Sequence, residues 1–196
     1  MSANLTRRFL SYLIDVLILG ILISFTLKLF HSNLASINRL ETFVSDLNAL
    51  FLEGKISLGE YIKGYSSYSQ DLDRIDLIPS VINFIYVTVL FIYIPFFFKG
   101  QTIGQKFLEI KIVKDSGKKA TLVDYFVKTL IFYSLGYLII TISTVYLLPS
   151  LPYFYITFIL NFLEIFLVII SGFMILYRHD QKALIDLLTK TKVVKV

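Results

Sequence analysis

Two acidic residues stand inside long apolar stretches of the sequence, where a charge is costly. Asp15 follows Arg8 within the first stretch, and Glu164 lies near the centre of the last one, three residues after Asn161. An ionised carboxylate deep in a membrane span costs about 2.5–3.5 kcal/mol, so such residues usually face other helices and pair there. Both acids could bind a proton or a cation, or could form a structural hydrogen bond or ion pair. Glu164, with Asn161 on the same predicted helix face, is the deeper of the two acids and the stronger candidate for transport chemistry.

Further charged residues accompany Asp15 near one end of the apolar stretches. Lys128 lies six residues into the third stretch, at a depth similar to that of Asp15. It is the natural partner of Asp15 across helices, although a lysine near a helix end can also extend its ammonium to the membrane surface. Two acids of the tail fall on the same side. The sequence therefore predicts an inner polar cluster of Arg8, Asp15, Lys128, Asp180 and Asp186.

The composition is typical of an integral membrane protein. Of the 196 residues, 56% are hydrophobic and 17% are charged, and the mean hydropathy is +0.74, outside the range of ordinary soluble domains. The chain has no cysteine, and its two histidines are far apart, so we expect no disulfide, metal site or cofactor. We see no nucleophile–base pair and do not expect an enzyme. The basic residues lie between apolar stretches rather than along one helix face, so no nucleic-acid partner is expected.

Four apolar stretches are long enough to cross the bilayer, which takes about 20 helical residues. They cover residues 9–30, 78–98, 122–147 and 154–177. The two termini and the segment between the second and third stretches carry thirteen Lys and Arg residues, whereas residues 31–77 carry four basic and seven acidic residues. The positive-inside rule then places both termini in the cytoplasm. The predicted fold is an all-α membrane protein in the plasma membrane, a four-helix transmembrane bundle within a single domain.

The outer insert, residues 31–77, is predicted to be helical. Apolar residues recur at steps of three and four from Leu34 to Phe51, which indicates an amphipathic helix. Ser57 and Glu60 fit a capping box that opens a second short helix, and the Gly- and Ser-containing residues 64–70 then favour a loop. The insert is either a simple helical cap over the bundle or a surface that binds a partner or ligand.

The inner segment, residues 99–121, favours a β-hairpin. Residues 107–113 alternate in polarity over part of their length, Gly117 suits the left-handed position of a three-residue loop, and residues 118–122 would return. The tail, residues 178–196, ends in the strand-like Lys192-Val193-Val194-Lys195-Val196. An isolated hairpin is marginally stable, so we expect these pieces to form a small cytoplasmic hairpin or sheet.

Three pieces of the sequence together resemble the RDD family of small membrane proteins, named for one arginine and two aspartates. The pieces are Arg7-Arg8-Phe9 with Ile14-Asp15, the segment Gly100-Gln101-Thr102-Ile103-Gly104-Gln105-Lys106, and the tail segment Asp180-Gln181-Lys182-Ala183-Leu184-Ile185-Asp186. By this resemblance Arg8 and Asp15 match the arginine and the acid of the first helix. Asp186 is the better match for the last acid, with Asp180 the competitor. The outer insert is longer than the family's usual first loop, and Lys128 stands where an arginine is expected.

The resemblance implies transport of unknown ligands, with cation/proton antiport in some members, and a role in assembling membrane complexes for related domains in larger proteins. The preferred hypothesis is transport of a monovalent cation or small solute coupled to protons through Asp15 and Glu164. Because four short spans rarely enclose a pathway, this requires a homo-oligomer or a partner membrane protein. The alternative is a scaffold that transports nothing and holds a partner membrane protein.

Overall fold

The third apolar stretch is divided in two in the computed structural model of the chain, which describes residues 3–29 and 34–196. Three helices are long and apolar enough to span a membrane, namely α1 (Leu5–Leu29), the helical segment Leu77–Phe97 and α9 (Ser150–Tyr177). The bent pair α7 (Leu122–Phe132) and α8 (Leu135–Thr144) makes a fourth when counted as one span. The mostly helical fold is thus confirmed. The predicted end of the first span at residue 30 lies outside the described residues.

The segment Leu77–Phe97 changes its helical hydrogen bonding partway along its length. It consists of α4 (Leu77–Thr88), a π-helix (Val89–Tyr93) and α5 (Ile94–Phe97). Pro95 has no N–H to donate to the carbonyl of Phe91 four residues earlier, so the regular ladder is interrupted there. The Thr129 hydroxyl of α7 contacts that carbonyl at 3.4 Å. The proline therefore leaves the Phe91 carbonyl accessible to the Thr129 hydroxyl of α7.

The bend between α7 and α8 measures 78°. Ser134, between the two helices, has a φ of +51°, in the left-handed region, which stops α7 and redirects the chain. Hydropathy predicted one span over residues 122–147 because no charge or proline marks the break. The bend is stabilised from another helix, because Glu164 of α9 accepts a hydrogen bond from the Tyr137 amide at the start of α8.

A two-stranded antiparallel sheet joins the inner segment to the tail. Strand β1 (Ile110–Lys114) pairs with β2 (Thr191–Lys195), with Ile110 opposite Lys195 and Lys114 opposite Thr191. The small sheet is confirmed, and Gly117 has the expected left-handed backbone, with a φ of +80°. The predicted return strand is reduced to one bridge between Val113 and Lys119, since farther along that edge of β1 the Ile112 amide donates to the Gly100 carbonyl instead. Two short helices, α6 (Ile103–Phe107) and α10 (Leu184–Leu188), flank the strands.

The sheet, α10 and the start of α1 lie together, since the Ala3 amide donates to the carbonyl of Val193 at 2.9 Å. We call this end of the molecule the terminal face. The opposite end, formed by α2 (Leu34–Leu52) and α3 (Leu58–Ile75), is called the insert face. The capping box of Ser57 and Glu60 is confirmed at the start of α3.

The loop predicted for residues 64–70 is wrong, because α3 continues through them. Gly64 supplies the reason. A Cβ there would lie 2.8 Å from the Leu47 side chain of α2, so the glycine permits close packing of the two helices. Tertiary packing thereby overrides the weak helix propensity of the segment.

Helix α3 also closes the end of α8. The Gln70 side chain, 1% exposed, donates to the carbonyls of Val145 and Leu148, both at 2.8 Å. Arg74 Nε donates to Val145 as well, at 3.2 Å. The last carbonyls of a helix have no partner within the helix, so the insert supplies the donors that this half-span lacks. The outer insert is therefore built into the bundle.

We predict that Gln70→Ala lowers the free energy of unfolding by about 1–3 kcal/mol, because the buried Val145 carbonyl and the half-buried Leu148 carbonyl each lose a donor. Unfolding in a denaturing detergent titration measures the change. Ser67→Ala is the matched control, since the Ser67 hydroxyl bonds only within its own helix, to the Lys63 carbonyl. Equal loss in the two variants would contradict the capping role of Gln70.

Candidate functional site

A buried carboxylate lies between two cations where the termini meet α7. Asp186 Oδ2 accepts from Arg8 Nη1 at 2.9 Å, and Asp186 Oδ1 pairs with Lys128 Nζ. The exposed fraction is 3% for the Asp186 side chain and 10% for each of the two cations. We call these three residues the charge triad. It joins three parts of the chain that are remote in sequence.

Local hydrogen bonds orient two members of the charge triad, Arg8 and Asp186. Arg8 lies in the first turns of α1, where its Nε donates to the Ala3 carbonyl at 3.1 Å and its Nη2 contacts the Val193 carbonyl at 3.5 Å. Asp186 lies in the first turn of α10 and accepts from the Ala183 amide at 3.2 Å. A carboxylate at the start of a helix satisfies amides that have no partner within it.

The charge triad keeps Asp186 ionised. Burial alone would raise the pKa of this carboxyl, but the positive charges of Lys128 and Arg8 and the Ala183 amide outweigh it, so the pKa lies below its ordinary value. Two cations then face one anion. The triad carries an excess of one positive charge in a buried place.

Asp15 has a different set of partners from the one that the sequence predicted. Its carboxylate accepts from the Thr102 hydroxyl at 2.6 Å and from the Gly104 amide at 2.7 Å, at the start of α6. Lys128 bonds Asp186 instead of Asp15, so the predicted Asp15–Lys128 pair is wrong. Asp15 therefore acts as the cap that fastens α6 to α1.

Gly104 makes the contact between α1 and α6 possible. A Cβ at this position would lie 2.1 Å from the carbonyl oxygen of Ser11 and 3.0 Å from the Asp15 carboxyl. No side chain fits at those distances. The glycine thus lets the backbone of α6 approach the first helix closely enough to be capped by Asp15.

Asp180 is not part of the charge triad. It forms a surface pair with Arg178, with two contacts of 3.0 Å, and these contacts lower its pKa to about 2. Of the two tail acids that the sequence left open, Asp186 is the one that meets Arg8 and Lys128.

Glu164 lies at the break in the third span. Its Oε1 accepts from the Tyr137 amide at 3.2 Å, and its carboxyl also bonds the Ser134 side chain. A Cβ at Gly136 would lie 3.3 Å from the same oxygen. Glu164 therefore caps the start of α8. Asn161, predicted on the same face, is exposed on the outside of α9.

A group of polar residues that sequence reasoning missed leads from the insert face toward Glu164. Tyr153 donates its hydroxyl to Asp73 at 2.7 Å, and the buried hydroxyl of Thr141 lies beside the phenols of both Tyr153 and Tyr137. Tyr137 lies in the first turn of α8, and Glu164 caps that turn. We call these five residues the polar row. Single hydroxyl residues in apolar stretches give no signal in the sequence that would reveal it.

Apolar helices that bury a charge triad and a polar row define an integral membrane protein with several spans. The sequence model of the RDD family matches residues 2–190, nearly the whole chain. The protein therefore belongs to the RDD family, as its motifs indicated. No curated protein and no solved structure matches the chain.

We predict that Asp186→Asn lowers the free energy of unfolding by about 3–5 kcal/mol at neutral pH, because it leaves two buried cations without a counter-charge. The depressed pKa of Asp186 means that its contribution is present above the unfolded-state pKa and is lost as the pH falls through the folded-state pKa. Stability of the wild type should therefore fall in acid, and Asp186→Asn should lack this component. Detergent unfolding measured across pH tests both points.

Asp180→Asn is the matched control, since it neutralises an exposed acid six residues away. Its unfolding curve should superimpose on that of the wild type. If both variants were equally stable, the charge triad would not hold the fold together.

Proposed function

We propose that the protein transports a small solute or monovalent cation coupled to protons, as an oligomer in the plasma membrane with the terminal face in the cytoplasm. The observation that carries this proposal is the broken third span, whose second half begins at the carboxylate of Glu164. Helices broken within the membrane are tolerated where protein satisfies the freed backbone, and transporters place binding sites at such breaks.

Protonation of Glu164 is the coupling step in this proposal. The ionised carboxylate favours the positive end of α8 and accepts from the Tyr137 amide. A proton on Glu164 removes that charge and weakens the cap, so the angle between α7 and α8 becomes less constrained. A change of protonation is thereby converted into a movement of one half-span.

The polar row is the candidate proton route between Glu164 and the insert face. Water would have to bridge it at the Thr141 hydroxyl, which has no direct hydrogen bond to a described residue. At its outer end, burial raises the pKa of Asp73; the Tyr153 hydrogen bond lowers it and the nearby Asp76 raises it further. Asp73 can therefore take up a proton at a higher pH than an ordinary aspartate. The hydroxyls of Tyr153, Thr141 and Tyr137 follow it toward Glu164.

In this proposal Asp15 does not carry the proton, because its carboxylate caps α6. It also keeps a cation substrate away from the charge triad, whose excess charge is positive. Glu164 and Asp73, both on the polar row, are the acids that we propose for a cation.

The exposed surface of α9 supports an oligomer. Only 6% of the most apolar part of α9 is buried, and the Asn161 amide lies on its outside. An amide facing lipid has no hydrogen-bond partner, whereas a second copy of the helix would provide one.

We predict that Glu164→Gln lowers proton-coupled flux in proteoliposomes by about tenfold or more, because glutamine retains an acceptor oxygen for the Tyr137 amide but cannot titrate. A pH-sensitive dye inside the vesicles reports flux driven by Na⁺ or K⁺ gradients. Asp73→Asn should also lower flux, and Asp46→Asn, which neutralises an exposed acid of the same insert, should not.

Flux equal to that of the wild type in a correctly folded Glu164→Gln variant would contradict the coupling role. Absence of flux from the wild-type protein in every gradient would contradict transport altogether. It would favour the scaffold alternative, in which a partner membrane protein copurifies with the chain.

A further inference from the structure

A cavity of about 270 Å³ lies beside the charge triad, between α1 and α9, with α7 as its floor. Its apolar lining includes Phe9 and Tyr12 of α1, Val168 and Ile175 of α9, and Phe132 of α7. Neither Asp15 nor Glu164 lines it. The cavity is therefore separate from the site proposed for proton coupling, and we call it the cleft.

The cleft is closed toward the terminal face and open at its side. Its terminal end is formed by the buried residues Ile110, Ile112, Ala183 and Val193. On the lateral side, Phe9 is 58% exposed, and α1 and α9 barely touch each other. Since both helices span the membrane, we infer that the opening faces the bilayer.

Lys128 and Ser171 lie at one depth among the polar residues that line the cleft. Arg8 and Asp186 of the charge triad line it as well. Lys128 is six residues past the start of α7 at Leu122, and Ser171 is six residues before the end of α9 at Tyr177, so each lies about 9 Å from its helix end. Lys128 has three N–H donors, one of which hydrogen-bonds Asp186. Ser171 is 1% exposed, and its hydroxyl has no hydrogen-bond partner among the described residues.

A buried hydroxyl without a partner is costly, and so is the one positive charge by which Arg8 and Lys128 together exceed Asp186. In the cleft both features lie next to apolar walls that open to lipid. A ligand that satisfies them needs an anionic oxygen at one end and an aliphatic chain at the other.

We propose that the cleft binds an anionic lipid of the membrane leaflet next to the terminal face. One acyl chain lies between α1 and α9, and an anionic oxygen of the headgroup accepts from Lys128 and Ser171. The volume is close to the lower end of small-molecule sites, about 300 Å³, so the rest of the chain extends into the bilayer. This binding does not depend on transport.

Photo-crosslinking tests the site directly. The full-length protein is placed in nanodiscs of phosphatidylcholine that contain a trace of phosphatidylglycerol with a diazirine in its acyl chain, or the matching phosphatidylcholine probe. After irradiation, mass spectrometry locates the labelled residues. We expect the anionic probe to label Phe9, Tyr12, Val168 or Ile175 about fivefold more than the zwitterionic probe, the ratio for one uncompensated basic residue near an anionic lipid.

Two glycines make a matched pair for blocking the cleft. Gly172 lines it, and a Cβ there meets no atom within 4 Å, so the position accepts a side chain and Gly172→Leu is designed to fill the cleft. Gly20 of α1 has equally open surroundings and is not among the lining residues. Labelling should fall about fivefold in Gly172→Leu and stay unchanged in Gly20→Leu.

Lys128→Met removes the excess charge while leaving the Arg8–Asp186 pair, and it should abolish the preference for the anionic probe. Lys128→Arg should keep it. Equal labelling by the two probes in the wild type, or undiminished labelling in Gly172→Leu, would overturn the proposal. Because neither readout involves flux, these outcomes are independent of the transport experiment.

Discussion

The structure depends on one buried carboxylate held between two cations. Asp186 can lie in the protein interior only because Arg8 and Lys128 meet it there, and each of those charges would be equally costly alone. Their pairing requires that the first helix, the third span and the tail converge. The strand pairing of β1 with β2 and the contact of Ala3 with Val193 form around the same point.

A second regularity concerns helix starts. Asp15, Asp124, Glu164 and Asp186 each place a carboxylate at the first turn of a helix, where it accepts from amides that have no partner within that helix. Water satisfies such amides in a soluble protein, but it is absent from the bilayer core. An acid inside an apolar stretch is therefore primarily a structural cap. Any functional role, such as the one proposed for Glu164, is additional to that capping.

The two polar systems differ in the sign of their charge. The charge triad and the cleft are positive and lie near the terminal face, whereas the polar row contains Asp73 and Glu164 and leads to the insert face. The break in the third span connects them, because Tyr133 lines the cleft and the next residue, Ser134, bonds Glu164. Lipid bound in the cleft would thus lie next to the half-span that we propose to move.

Local patterns in the sequence determined much of the architecture. Hydropathy located the apolar helices, the Ser57–Glu60 pattern marked a helix start, and the alternating tail indicated a strand, since each signal involves residues close together in the chain. The motifs around Arg8, Asp15 and Asp186 were sufficient to indicate the family. Both termini on one face also follow from the pattern of spans.

Only the tertiary structure decided which charges pair. Sequence gives the depth of a residue in the membrane, but neither its direction around the helix nor the identity of the neighbouring helix. Depth alone therefore favoured Asp15 as the partner of Lys128, whereas the structure pairs Lys128 with Asp186. The bend at Ser134 was invisible for the same reason. It is stabilised by Glu164, 30 residues away in the chain, and a contact between distant helices leaves no local pattern.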